Sequence, residues 1–217
     1  MTHDLILYSY YRSSASFRAR IGLQLKELEF ETKPVHLLED GGRQHAEDYK
    51  DMNPMSQLPT LVHKGQVLSQ SLPILMYLDD TFEGPHLFPK DTFSKAKVLQ
   101  ICEIINSGIQ PLQNLSVLQV LERDYQFDSE MKKSWIQYWV KRGFTALERT
   151  LEQTSGAFCF GDEVTAADIC LVPQVFSGQR FGVEPTEYSN ISRINQACLS
   201  LSAFQKASPE NQPDFPG

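Results

Sequence analysis

Arg12-Ser13-Ser14-Ala15-Ser16-Phe17-Arg18 stands between an apolar run, Leu5-Ile6-Leu7-Tyr8, and a run of helical spacing through Ile21, Leu23, Leu25 and Leu28. A strand that passes through serines directly into a helix is the opening unit of an α/β layout. It sets hydroxyls beside the unpaired N–H groups of the helix N-terminus. An anion held there is stabilised by the positive end of the peptide dipole, with no need for a buried lysine. A plain N-cap is the other reading of the same serines.

Outward from this junction, the alternation of apolar runs and turn residues predicts strands at Leu5–Tyr8, Glu31–His36, Thr60–His63 and Gln66–Leu68. Lys64-Gly65 reads as a hairpin turn, and Pro73 suits the first turn of a helix opening near Gln70. Residues 1–82 therefore form an α/β domain around a small mixed sheet. Residues 83–92, with Gly84-Pro85 and Pro89, read as a linker, and 93–217 as an all-helical domain. The expected helices there cover about 93–121, 129–153 and 165–177, with shorter pieces near 190–207. Gly108 and Pro111 should kink the first of them. Thr165-Ala166-Ala167-Asp168 has the form of a capping box with aspartate in the usual glutamate place. The proline-rich tail from Ser208 to Gly217 reads as a loose extension.

A formal net charge of −7 over 217 residues argues against nucleic acid or an anionic membrane as partner, since both demand a basic surface. No apolar run approaches a membrane span, and Met1-Thr2-His3-Asp4 lacks the features of a signal peptide, so a cytoplasmic protein is expected. Cys102, Cys159, Cys170 and Cys198 have neither metal-ligand nor CxxC spacing and read as reduced packing thiols. His3, His36, His45, His63 and His86 are scattered, which favours surface or loop positions and no metal site.

Two further places repeat the logic of the serine junction. Leu58-Pro59-Thr60 enters a strand from the polar loop Asn53-Pro54-Met55-Ser56-Gln57. A cis-proline there turns backbone groups outward to pair with a peptide, whereas a trans turn does not; the tripeptide alone leaves both open. Gln70-Ser71 opens a helix with a hydroxyl beside free N–H groups, suited to a carboxylate or to simple capping.

With these pieces in place the chain closely resembles the glutathione transferase superfamily, its zeta class in particular. The resemblance spans nearly the whole sequence and is carried by Tyr11 through Ile21, Asn53-Pro54-Met55, Leu58-Pro59-Thr60-Leu61 and Gln70-Ser71-Leu72. It continues through Gly108–Ser116, Gly161-Asp162-Glu163-Val164-Thr165 and Leu171-Val172-Pro173-Gln174. It implies a thioredoxin-like N-terminal half, a helical C-terminal half, glutathione as cofactor and a homodimer. Ser13, Ser14, Ala15, Ser16, Phe17 and Arg18 would surround the glutathione thiol, with Gln44 and the backbone of Leu58 on the peptide and Gln70 and Ser71 on the γ-glutamyl end. Gln110, Asn114, Leu115 and Ser116 would add contacts from the kinked helix.

The activity implied is cis-trans isomerisation of maleylacetoacetate to fumarylacetoacetate by reversible thiolate addition, a step of phenylalanine and tyrosine breakdown. Ser13, with Ser14 as the alternative, would keep the thiol ionised. Arg12 and Arg180 would anchor the small dicarboxylate substrate, while Arg18 and Arg20 have the alternative of pairing with acidic neighbours. Animal members of the class read Ser-Ser-Cys where this chain has Ala15 third, so no protein thiol stands in the segment and glutathione must supply the sulfur. Maleylpyruvate isomerisation, displacement of halide from α-halo acids, and a non-catalytic binding module of the same fold remain the alternatives. A thiol–disulfide exchanger would need CxxC where Ser13 to Ser16 stand. Tyr8, Tyr10 and Tyr11 are the other hydroxyls that could serve the thiol, although Tyr8, on the strand, is expected to pack.

Overall fold

The computed structural model describes residues 4–216; Met1, Thr2 and His3, read above as part of the chain start, and Gly217 lie outside them. The described chain divides into two compact units, one running to Leu87 and resuming at Leu201, the other spanning Phe88–Ser200.

In the first unit, β1 (Leu5–Ser9), α1 (Ser14–Leu25) and β2 (Glu31–Pro34) form a β-α-β segment. Then come α2 (Glu47–Met52), β3 (Thr60–His63), β4 (Gln66–Ser69) and α3 (Ser71–Thr81). The sheet order is β2-β1-β3-β4, with β1 parallel to β2, antiparallel to β3, and β3 antiparallel to β4. The α/β mixed-sheet expectation is therefore met. β2 ends at Pro34, two residues before the expected His36. Proline has no N–H to extend the ladder, although Val35 N–H still reaches Ser9 O at 2.8 Å. The hairpin turns on Lys64 and Gly65, both at positive φ (50° and 79°), the pair of left-handed residues that a tight two-residue turn demands.

Strand side chains alternate between faces. Leu5 and Leu7 of β1 and Leu61 of β3 pack with Ala19 and Leu23 of α1 and Ile74 and Leu78 of α3. On the other side Tyr10, Val35, Tyr49 and Leu58 form a second cluster, against which Tyr8 and Met52 pack. His63 does not follow the surface-or-loop expectation: it lies buried on β3, its Nδ1 2.6 Å from Tyr77 Oη.

The second unit contains α4 (Thr92–Asn106), α5 (Leu115–Tyr125), α6 (Ser129–Thr154), α7 (Ala166–Gln179) and α8 (Ser189–Leu199). The expected helix at 93–121 is two helices and a turn, not one kinked rod. A Cβ on Gly108 would lie 2.6 Å from Ile104 O, so the chain leaves the helix there on a residue with no side chain. Pro111 then opens a 3₁₀ turn, Gln110–Gln113, and Asn114 caps α5 by accepting from Ser116 N–H at 3.1 Å. The turn is fastened from three sides. Ile109 is fully buried with its terminal carbons against Gly143 of α6, Trp135 Nε1 donates to Leu112 O at 2.8 Å, and Gln113 Nε2 donates to Gln174 Oε1 at 3.0 Å. The Thr165–Asp168 capping box is present, with Asp168 Oδ2 accepting from Thr165 N–H at 2.8 Å.

The C-terminal stretch is where the structure departs furthest from the sequence reading. α9 (Ser202–Ala207) packs on α1, so residues from Leu201 onward group with the α/β unit and not with the helical one expected over 93–217. Nor is the segment after Ser208 loose. Ser208 and Pro209 are buried, Asn211 Nδ2 donates to Gln205 O at 2.7 Å, and Asp214 accepts from Tyr11 N–H at 2.9 Å. Arg20, a buried cation on α1, needs oxygen partners and ties the end of α9 to α1 by donating to Ala207 O at 2.9 Å.

Candidate active site

The loop from β1 to α1 carries the first set of site residues. Ser13 is the N-cap of α1, extended at φ −70° and ψ 116°, and its Oγ accepts from Ser16 N–H at 3.1 Å. The hydroxyl oxygen is thus engaged in capping while its proton stays available to an outside acceptor. A hydroxyl polarised in this way is a better donor. Ser14 begins the helix, and Ser13, Ser14 and Ala15 are partly exposed at its mouth. Ser16, Phe17 and Arg18 are buried and act from behind it. Arg12, half-buried, lays its guanidinium 5.8 Å from the centre of the Tyr10 ring.

Arg18 joins this helix mouth to a second one. Its Nη1 donates to Ser71 Oγ at 3.2 Å, and Ser71 is the first residue of α3. Gln70, just before it, holds φ 72°, a left-handed value uncommon for a residue with a Cβ, and its Nε2 reaches Gln57 Oε1 at 3.4 Å. Arg18 is therefore a buried residue bonded to a serine hydroxyl and does not stand at the surface. Arg20, which had the same alternative, is also buried. It donates to Ser9 Oγ, Tyr10 O and Tyr11 O at 3.0, 3.3 and 3.1 Å, besides Ala207 O. Burial pulls its pKa down to about 9 against the opposing pull of Asp214 and Glu210, so it is still a cation at neutral pH.

The Leu58–Pro59 peptide is cis, which resolves the alternative left open by the sequence. Its loop is held by residues that the sequence reading did not single out for this purpose. Tyr49 Oη donates to Gln57 O at 2.7 Å and lies 2.9 Å from Thr60 Oγ1; Asn53 Nδ2 donates to Gln57 O at 2.8 Å and Thr60 Oγ1 at 3.0 Å. Asn53 at the head of the polar loop was a local signal for this brace. Tyr49, from the preceding helix, gave none. Gln44 sits buried in a 3₁₀ turn at Arg43–His45, its side chain folded under Gly42 and its Oε1 without a hydrogen-bond partner among the described residues.

Among the tyrosines that could compete with serine, Tyr8 packs edge-on to Tyr49 at 5.9 Å, with Lys33 over its ring. Tyr10 is 2% exposed, its Oη is 3.3 Å from His36 Nε2, and burial raises its pKa to about 12 although Arg12 lowers it. Tyr10 is a neutral phenol at physiological pH.

The remaining expected residues belong to the helical unit. Gln110 lies in the fastened 3₁₀ turn, Asn114 spends its Oδ1 on capping α5, and Leu115 and Ser116 form the first turn of that helix, with Ser116 Oγ donating to Asn114 Oδ1 at 3.0 Å. Arg180 follows α7 as its C-cap, exposed, with its guanidinium 5.5 Å from the Phe181 ring. The first unit thus brings together Ser13, Ser14, Arg18, Gln70 and Ser71, and the second brings together Gln110, Asn114, Leu115 and Ser116.

The donor set fits an anionic thiol peptide: two helix mouths, each with a hydroxyl, a buried cation behind one of them, and a strand entry at a cis-proline. Comparison with known proteins agrees with that chemistry. Residues 3–80 match the family model of the glutathione S-transferase N-terminal domain. The maleylacetoacetate isomerase of Rattus norvegicus is 47% identical over 211 residues, covering 97% of this chain and 95% of that protein. A bacterial zeta-class maleyl pyruvate isomerase superposes with a TM-score of 0.92 at 36% identity, over 96% of this chain and 99% of that one. The maleylacetoacetate isomerase of Anaeromyxobacter dehalogenans 2CP-1, with dicarboxyethyl glutathione and citrate bound in its active site, superposes with a TM-score of 0.87 at 36% identity, over 100% of this chain and 99% of that one.

Proposed function

From the premise that this chain belongs to the glutathione S-transferase family, in its zeta, maleylacetoacetate-isomerase branch, we propose that it isomerises maleylacetoacetate to fumarylacetoacetate in phenylalanine and tyrosine breakdown. The observation that carries the mechanism is the Ser13 hydroxyl, which caps α1 through its oxygen and so leaves its proton free to be donated at the helix mouth. Glutathione, when bound, supplies a thiolate that adds reversibly to the cis double bond and leaves once the bond has rotated.

This chain's residues do the rest. Ser13, with Ser14 beside it, donates to the sulfur, and the N-terminal dipole of α1 favours its negative charge. A free thiol with a pKa of ~8.5 is only a few per cent ionised at neutral pH, and each unit of depression is worth about 1.4 kcal/mol toward the thiolate. Ser71 and the first turn of α3 take the γ-glutamyl carboxylate, with Arg18 supplying positive charge from behind, and Gln44 and the backbone of Leu58 hold the peptide. Arg12 and Arg180 take the carboxylates of the dicarboxylate substrate and offset the negative charge that develops on its carbonyl oxygen. We further propose a homodimer in the cytoplasm.

A second reading, isomerisation of maleylpyruvate, is favoured by the 0.92 TM-score to the maleyl pyruvate isomerase. The two substrates differ beyond a shared cis keto-acid end, so a competition assay with catalytic glutathione separates them. The expected result is a higher kcat/KM for maleylacetoacetate. A higher value for maleylpyruvate transfers the assignment to that substrate. Equal turnover after glutathione has been dialysed away rejects the thiolate mechanism.

A further inference from the structure

The segment after α9 touches the serine loop itself. Asp214 accepts from Tyr11 N–H at 2.9 Å, two residues before Ser13, and Phe215 meets the Tyr11 ring edge to face at 5.5 Å. Behind the same loop Arg20 binds Tyr10 O, Tyr11 O and Ser9 Oγ with one side of its guanidinium and, through Nε, Ala207 O at the end of α9. The segment between these two anchors is fixed internally: Gln212 Nε2 donates to Lys206 O at 3.1 Å and Ser208 O at 2.9 Å, and Asn211 Nδ2 donates to Gln205 O.

None of these residues bears a group suited to the chemistry proposed above. What they share is the peptide from Tyr10 to Arg12, whose carbonyls go to Arg20 and whose Tyr11 N–H goes to Asp214. A loop between a strand and a helix is ordinarily the most mobile part of such a junction. Here it is gripped on both hydrogen-bonding edges, one of the grips coming from residues about two hundred positions away in the sequence. The position of the Ser13 hydroxyl is set by that peptide, since Ser13 N–H donates to Tyr10 O at 3.0 Å.

We propose that the C-terminal segment is a strap that positions the serine loop, with Asp214 and Arg20 as positioning residues for the Ser13 hydroxyl. The inference rests on the proposed glutathione site. Its physical content is that a hydroxyl held within a fraction of an ångström donates to a thiolate, and one on a loose loop spends part of its time turned away. Loss of the strap therefore weakens thiol ionisation and binding together and leaves the core of the α/β unit intact.

The test compares wild type with Asp214→Ala, Asp214→Asn and Phe215→Ala by three measurements. These are hydrogen exchange of the amides from Tyr11 to Ser16 in the protein without ligand, glutathione affinity by calorimetry, and the pH dependence of thiolate absorbance in the complex. Asp214→Ala is expected to speed exchange in that segment. It should weaken glutathione binding by about three- to tenfold, the range for losing one ordinary hydrogen bond, and move the thiolate midpoint up toward that of free glutathione. Asp214→Asn keeps an acceptor for Tyr11 N–H and should lie near wild type in all three. If wild type binds glutathione and Asp214→Ala matches its affinity and thiolate midpoint, the strap is overturned even where melting temperature falls. If wild type itself fails to bind glutathione, the functional reading falls first and takes the inference with it.

Discussion

Arg18 stands directly behind Ser71, its Nη1 3.2 Å from the serine Oγ, so that one buried guanidinium ties the mouth of α1 to the mouth of α3. The two helix openings that the sequence presents as separate motifs are in this way a single unit, and a change at either is felt at both.

Ser71→Ala removes one of the acceptors of a buried cation. The expected outcome is a stability loss of about 1–3 kcal/mol, the penalty of stripping a partner from a buried polar group, together with weaker glutathione binding. Urea denaturation and calorimetry measure the two effects.

Ser13→Ala and Ser14→Ala should separate capping from chemistry. Ser13 Oγ holds Ser16 N–H, so Ser13→Ala is expected to cost about 1 kcal/mol of stability, as loss of an N-cap does, and to raise the pKa of bound glutathione. Ser14→Ala should leave stability nearly unchanged. A bound thiol unaffected by Ser13→Ala and shifted by Ser14→Ala would pass the donor role to the second serine.

Arg180→Ala should raise KM for the dicarboxylate substrate far more than it changes the affinity for glutathione, because the exposed guanidinium bears on only one of the two ligands in the proposed mechanism. Steady-state kinetics with each ligand varied in turn is the measurement, and parallel effects on both would count against the assignment.

Gly143→Ala tests how the 3₁₀ turn is fastened. A Cβ at this position would lie 2.2 Å from Ile109 Cδ1 and 2.3 Å from its Cγ1, and Ile109 is fully buried. The substitution is expected to destabilise the protein by about 1–3 kcal/mol through overpacking, and Ile109→Val made with it should recover part of the loss. Chemical denaturation of the two variants decides the matter.

Glu148 gives a pH-dependent case. Burial opposes its ionisation, but Asn190 and Ile191 N–H groups, with the side chains of Ser189 and Asn190, outweigh that and hold its pKa below the ordinary 4.5. A depressed carboxyl pKa contributes stability that is fully present above the unfolded value and is lost as pH falls through the lower folded value. Glu148→Gln should therefore be less stable than wild type at pH 7, with the gap closing as pH falls below the ordinary 4.5 and through the lower folded value. A gap that persists unchanged into acid would show that packing, not charge, is responsible.

Local chemistry made much of this molecule legible. Strands with alternating or continuous apolar runs, the Lys64-Gly65 turn and the Thr165 capping box each depend on residues close in sequence, and each is found where its pattern lies. In the helix over 93–121, Gly108 and Pro111 mark the right place, but the apolar periodicity running through them reads as a kink where the chain makes a full break. At the break Gly108 comes so near Ile104 O that a side chain would not fit, and Ile109 packs where Gly143 has no side chain, a position far along the chain. The C-terminal segment misled for a related reason. Its prolines describe a chain without regular structure, and that does not exclude order when a buried arginine and a main-chain N–H elsewhere require partners. Among the site residues, Ser13, Ser14, Gln70 and Ser71 were visible as hydroxyls and amides at helix openings. Tyr49 and Arg20 were not, since a tyrosine in a short helix and an arginine among apolar residues look like surface positions until their partners are known.

Cys102, Cys159, Cys170 and Cys198 form no disulfide and are fully enclosed, and burial pushes the thiols of Cys159 and Cys198 up, well out of reach of ionisation at neutral pH. An electrophile or oxidant arriving from solvent at the serine loop therefore finds no sulfur belonging to the polypeptide there. The nucleophilic sulfur exposed there is that of a diffusible tripeptide that can be exchanged for a fresh copy, and the four cysteines of the polypeptide stay out of reach.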